Sequence, residues 1–111
     1  MPAYTVFQVI LTNNEINRAN SGERFPKYEA YRDAICGEPD AAYAGGFYEP
    51  VAVIEAEDLE DVFHIGNVFH PKENIKQLSR MHSVSVGDII RDPDGIDWAV
   101  AGVGFERMGG Y

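Results

Sequence analysis

Near its C-terminal end the chain reads Asp92-Pro93-Asp94-Gly95, and both flanks of that tetrapeptide favour extended backbone. Proline pre-sets φ, aspartate caps turns through its side chain, and glycine accepts positive φ. Before the turn, Ser83, Val84, Ser85 and Val86 alternate polar with apolar, the period of a half-buried strand, and residues 88–91 continue it. After it, "IDWAVAGVGFERM" reads as the returning strand, with Trp98, Val100 and Gly102 on one side. A turn this short can join its flanks only as an antiparallel hairpin. The rest of the chain must then supply strands and helices that cover it.

Two segments qualify as strands. "YTVFQVILT" (residues 4–12) is β-branched and aromatic nearly throughout, as in a strand buried on both faces, and "PVAVIEA" (residues 50–56) is the second. Between them, "NNEINRANSG" offers Asn13 or Asn14 as a helix cap and Gly22 as a stop. In "FPKYEAYRDAICG", Pro26 suits a first helical position and Gly37 the position after the end, with Tyr28, Tyr31, Ala34 and Ile35 facing the core. "EPDAAYAGG" reads as a loop. "EDLEDVFHIGN" reads as a helix with Leu59, Val62 and Phe63 as its apolar stripe, ending at Gly66 or Asn67. "HPKENIKQLSRM" is a polar link with room for a further helical turn or two, and the tail Gly109-Gly110-Tyr111 should fray. The expected fold is one α+β domain over residues 1–111: a small, mostly antiparallel sheet with a C-terminal β-hairpin, flanked by two or three short helices.

Apolar residues make up 45% of the 111, enough to bury a core, which argues against disorder. No run approaches the ~20 apolar residues that span a bilayer. The N-terminus lacks the basic region of a signal peptide, and the single cysteine, Cys36, allows no internal disulfide. A soluble, cytoplasmic protein is expected. Net charge is −9, and residues 1–61 hold 12 acids against 4 bases. Such a surface repels phosphate, so direct nucleic-acid binding is disfavoured and a basic protein partner is favoured.

The segment around residue 85 tests for an active site. His82, Ser83, Ser85 and Asp88 hold the residue types of a hydrolytic triad. On a strand, however, residues 82 and 83 point to opposite faces, and so do 82 and 85. Residues 82 and 88 share a face but would lie about 20 Å apart. No nucleophile elbow accompanies them. The expectation is structural: Asp88 caps the "VGD" turn, and a ligand pocket at His82, Ser85 and Asp88 is the alternative. His64 and His70 do not match metal-ligand spacing, so no metal or cofactor is expected. Cys36, at a helix C-terminus, reads as a small packed residue. Lys72, Lys76 and Arg80 would form a short basic stripe if their link were helical. Glu55, Glu57, Asp58, Glu60 and Asp61 remain as the candidate protein-binding face, five carboxylates around a helix start.

The order "LEDVFHIGNVFHP", "HSVSVGDII", a turn, then "GVGFE" resembles the YodL-like domain of bacterial and mobile-element proteins. The matching residues are 59–63, Asn67, His70-Pro71, 83–90 and Gly104-Phe105, and Gly87 stands where that family more often has serine. The likeness extends loosely from Tyr4 to Met108 and is dense only from Leu59 to Phe105. It implies a domain of plasmid, phage or conjugative-element proteins, sometimes found beside antirestriction-type proteins, with no established catalytic residues to carry over. The expected function is a non-enzymatic protein-interaction module. Its acidic face would block a basic, nucleic-acid-handling host protein such as a defence nuclease.

Overall fold

The computed structural model describes residues 1–108. In chain order it contains β1 (Ala3–Gln8), α1 (Asn13–Asn20), α2 (Pro26–Ile35), α3 (Asp40–Ala44), β2 (Glu49–Glu55) and α4 (Leu59–Val68). A 3-10 turn (Lys72–Asn74) follows, then β3 (Ile75–Gln77), β4 (Ile89–Arg91), β5 (Asp97–Val100) and β6 (Phe105–Met108). The six strands form one sheet in the order β3-β2-β1-β4-β5-β6, every neighbouring pair antiparallel. The fold is α+β. Among the described residues no helix is long and apolar enough to cross a membrane.

β1 lies between β2 and β4, and its side chains alternate: Tyr4, Val6 and Gln8 are buried, Thr5 and Phe7 half-buried. A strand over residues 4–12 buried on both faces is therefore corrected. Opposite Pro50, which has no N–H to give the ladder, the register shifts between Val6 and Phe7, and the strand ends one residue later. Val9 and Leu11 are buried outside the sheet. One sheet face carries the main core, in which Val6, Ile54 and Ile90 meet Val62, Ile65 and Val84. Each such fully buried side chain stabilises by about 1.5–3 kcal/mol. The other face is covered over Ile89, Ala99 and Met108 by Phe7, Tyr43 and Tyr48.

Some local start and stop signals hold. Pro26 opens α2, and Gly22 and Gly37 follow α1 and α2 with φ of +89° and +91°. α1 is capped by Thr12 instead of an asparagine, in a reciprocal box with Glu15. Asp92 shapes the predicted turn, accepting from the N–H groups of Asp94 and Ile96 and from Trp98 Nε1. β4 and β5 pair across it. The returning strand is two strands, however, because a turn closed by Ala101 N–H donating to the Gly104 carbonyl separates β5 from β6 and makes a second hairpin.

Several expectations are overturned by packing. Residues 40–44, read as loop, form α3, which makes four α-helices among the described residues; Ala42 packs with Val9, Ala30 and Ala34, burial that a five-residue helix needs. Ile35 is half exposed and Cys36 is exposed, so neither packs in the core. Residues 70–81 hold no α-helical stripe: Lys72 lies in the 3-10 turn, Lys76 in β3, and Arg80 donates to the Leu11 carbonyl at 2.5 Å. Gly66 does not end α4. It sits inside the helix because Val84 presses on it, and a Cβ there would lie 2.3 Å from Val84 Cγ2. Residues 83–86 are not a strand. Val84 donates to the Gly66 carbonyl and accepts from Asn67 Nδ2, so α4 satisfies the backbone groups that a ladder would have used.

Candidate functional site

Three polar constellations stand out, and the first contains the suspected triad. Once the chain leaves α4 it makes a tight turn at residues 85–88, with the Asp88 N–H on the Ser85 carbonyl and Gly87 at φ +91°. The Asp88 carboxylate accepts from the Ser85 N–H at 2.9 Å and from Gln8 Nε2 at 3.0 Å. Gln8 also bonds both backbone groups of His82, donating to its carbonyl and accepting from its N–H. The sequence estimate of some 20 Å between His82 and Asp88 rested on a strand. It is corrected: the turn brings both residues to Gln8. The conclusion that Asp88 caps this turn stands. His82 Nδ1 lies 2.8 Å from the Ser83 carbonyl, which can only accept, so Nδ1 carries the proton and bonds no serine hydroxyl.

Burial pushes the Asp88 carboxyl up to about 6, against the lowering effects of the Ser85 N–H, His82 and Gln8. Tyr48 donates its hydroxyl to the Gly87 carbonyl and has its own pKa raised, first by burial and then by the Asp88 charge. The crevice that both His82 and Asp88 line encloses about 10 Å³. That is room for about one water.

The second constellation was not foreseen. Across the β4–β5 hairpin, Arg91 meets Asp97 through two bonds, Nε–Oδ1 at 2.7 Å and Nη2–Oδ2 at 3.1 Å. Tyr43 donates to Asp97 at 2.7 Å, and the guanidinium stacks over Phe7 at 4.7 Å. Burial raises the Asp97 pKa, but the bonds from Arg91 and Tyr43 outweigh it and the net shift is downward. The signal was available, since a turn over residues 92–95 sets Arg91 opposite Asp97.

The third is the acidic start of α4, where the five carboxylates divide by role. Asp58 accepts from the Asp61 N–H at 2.8 Å, and Asp61 accepts from the Glu57 N–H at 3.0 Å, so both hold the helix start. Glu55, Glu57 and Glu60 are exposed, and among the described residues none of the three is in an ion pair. Glu60 borders a cleft of about 320 Å³ with Phe63, Phe105 and the loop residues Ala101, Gly102 and Gly104. Among the described residues no three His, Cys, Asp or Glu side chains gather as a metal site would require.

Fold and constellations together define an α+β domain with an open six-stranded antiparallel sheet and an acid-edged helix start. No protein-family model, curated protein or solved structure matches the chain.

Proposed function

We propose that the chain is a non-enzymatic protein-interaction module that docks a basic segment of its partner at the acidic start of α4. One observation carries this reading. Glu60 shares a cleft with the half-buried Phe63 and Phe105, so negative charge and accessible apolar surface adjoin, while the side chains of Glu55 and Glu57 are exposed. An apolar anchor flanked by lysine or arginine would find both its needs met there. The resemblance to YodL-like domains adds a setting, a mobile genetic element, and a partner class, a basic nucleic-acid-handling host protein that the acidic face would block. Gly87 counts against a close kinship, because a serine at that position would need both its positive φ and space that Ala34 fills.

The alternative, a ligand pocket or active site at His82, Ser85 and Asp88, has less support. Asp88 and the Ser85 N–H are spent on their turn, and the shared crevice takes only a water.

The test is affinity capture from bacterial lysate with the wild type beside a Glu55→Lys/Glu57→Lys/Glu60→Lys variant. These three substitutions spare the capping pair; reversing charge at the start of α4 is expected to cost about 1 kcal/mol, so the variant stays folded, which a thermal melt reports. Retention of one basic nucleic-acid-binding protein by the wild type alone supports the proposal. Equal retention by both proteins, or by neither, sinks it.

A further inference from the structure

A second concave surface lies just past the end of β1 and has the reverse electrostatic character. Its walls are Val9, Ile10 and Leu11, which continue beyond β1, with Ile16 of α1 and Tyr31 of α2; residues 80–82 close it. The volume is about 250 Å³. No carboxylate lines it, although the chain carries 18 acidic residues, and its two charge-bearing lining residues are Arg80 and His82. Both are exposed to solvent.

These two side chains are held in place by bonds that leave donors free. Arg80 Nη2 donates to the Leu11 carbonyl at 2.5 Å and Nη1 reaches Asn13 Oδ1 at 3.4 Å. A guanidinium has five N–H donors, so three remain. The Leu11 contact ties the cation to the groove wall itself. At His82 the Nδ1 proton is committed to the Ser83 carbonyl, and its backbone is fixed by Gln8, so the ring edge with Nε2 is the part left to bind. In its imidazolium form that nitrogen is a second donor. An apolar trough with a fixed guanidinium, an imidazole edge beside it and no acid among its lining residues suits a molecule with a hydrocarbon body and an anionic head.

We propose that this groove binds a medium-chain aliphatic carboxylate, with its chain along Val9, Leu11 and Ile16 and its head group on Arg80 and His82. At about 250 Å³ the groove has room for a ligand on the order of ten non-hydrogen atoms, each taking somewhat less than the roughly 30 Å³ share of a liquid water. The net charge of −9 repels anions at long range, so affinity must come from contact. For a ligand of that size a Kd on the order of 0.1–1 mM is expected. The site is separate from the acidic start of α4, and the fate of either proposal leaves the other standing.

The experiment is an NMR titration of the amide-labelled full chain with sodium octanoate, with octan-1-ol and octylammonium as controls of equal chain length. Octanoate should shift the amides of residues 9–11, 16, 31 and 80–82 saturably. Arg80→Gln should weaken octanoate by about fivefold or more while leaving octanol unchanged, and His82→Gln should weaken it less. Both side chains are exposed, so the variants keep the fold, which their spectra report directly. Equal binding of octanol or octylammonium, shifts centred elsewhere, or no saturation by about 10 mM would overturn the proposal.

Discussion

Asp88 and Asp97 lie before and after the β4 strand and its turn, both are buried, and burial raises both carboxyls, yet their net shifts are opposite. Asp88 is 5% exposed and Asp97 is 6% exposed. Around Asp88 the contacting donors are neutral, a side-chain amide and a backbone N–H, and the carboxyl rises to about 6. Around Asp97 a guanidinium binds with two N–H groups and a phenol adds a third bond, and the carboxyl falls below its usual range. Two neutral donors do not offset the desolvation of a carboxylate, whereas a formal opposite charge in contact does. The first aspartate fixes a turn and the second joins two strands to α3.

The comparison can be broken most severely at Gly87, the pivot of the Asp88 turn. Its φ is +91° and a Cβ would stand 1.9 Å from the Ala34 carbonyl oxygen, a backbone atom that cannot step aside. Gly87→Ala is expected to cost about 4 kcal/mol or more, or to prevent folding. A urea-denaturation midpoint within experimental error of wild type would show the turn is not so confined.

Arg91→Gln removes the partner charge and leaves Asp97 in the environment of Asp88. About 2–3 kcal/mol of destabilisation is expected, below the usual figure for a buried pair because Arg91 is half exposed. The Asp97 carboxyl should then titrate upward, which a carboxylate-resolved NMR titration of the variant would detect. An unmoved Asp97 would mean Tyr43 alone suffices.

The pH dependence of stability sharpens the contrast. Because the folded Asp88 carboxyl lies near 6 and its ordinary value is 3.8, the folded state binds this proton more tightly. The stability it contributes is complete below about 3.8 and is lost as pH rises through about 6. Asp97, Asp92 and Glu15 have lowered values, so their contributions are present above the ordinary carboxylate range and vanish as pH falls below it. Melting temperature should therefore climb from pH 7.5 to a maximum around pH 5 and then drop. Asp88→Asn should flatten the climb and leave the drop. A wild-type curve without a climb would remove the case for a disfavoured Asp88 charge.

The smallest effects separate the carboxylates of α4. Asp58→Ala loses the cap and should cost about 1 kcal/mol, whereas Glu57→Ala should change stability by less than about 0.5 kcal/mol. Thermal melts of the two variants that coincide would mean the cap contributes nothing.

Much of the fold was legible because its signals are local. Pro26, Gly22, Gly37 and the 92–95 turn act through their own φ values and immediate neighbours, and the strands at β1 and β2 follow from β-branched composition. The acidic segment was legible as charge, but its division into two caps and three free carboxylates needed the helix geometry. Other positions misled. Gly66 carries the signature of a helix stop and Val84 that of a strand. Each is overruled by the other, since the bare Cα of Gly66 admits Val84, whose backbone then bonds to α4. Gln8 looked like one polar residue in an apolar run, and nothing near it in sequence announces partners at 82 and 88.

The sequence by itself determined the antiparallel hairpin, the helix boundaries set by proline and glycine, and the excess of negative charge, because each depends on covalent geometry or on counting. Only the tertiary structure decided where the chain bends at residues 84–88, which aspartate keeps its charge easily, and which basic side chains border an apolar groove. Those outcomes depend on desolvation and close approach between residues 60 to 80 positions apart, as at Gln8 and Asp88 or Leu11 and Arg80. No local pattern encodes that energy, because it exists only once the core has formed.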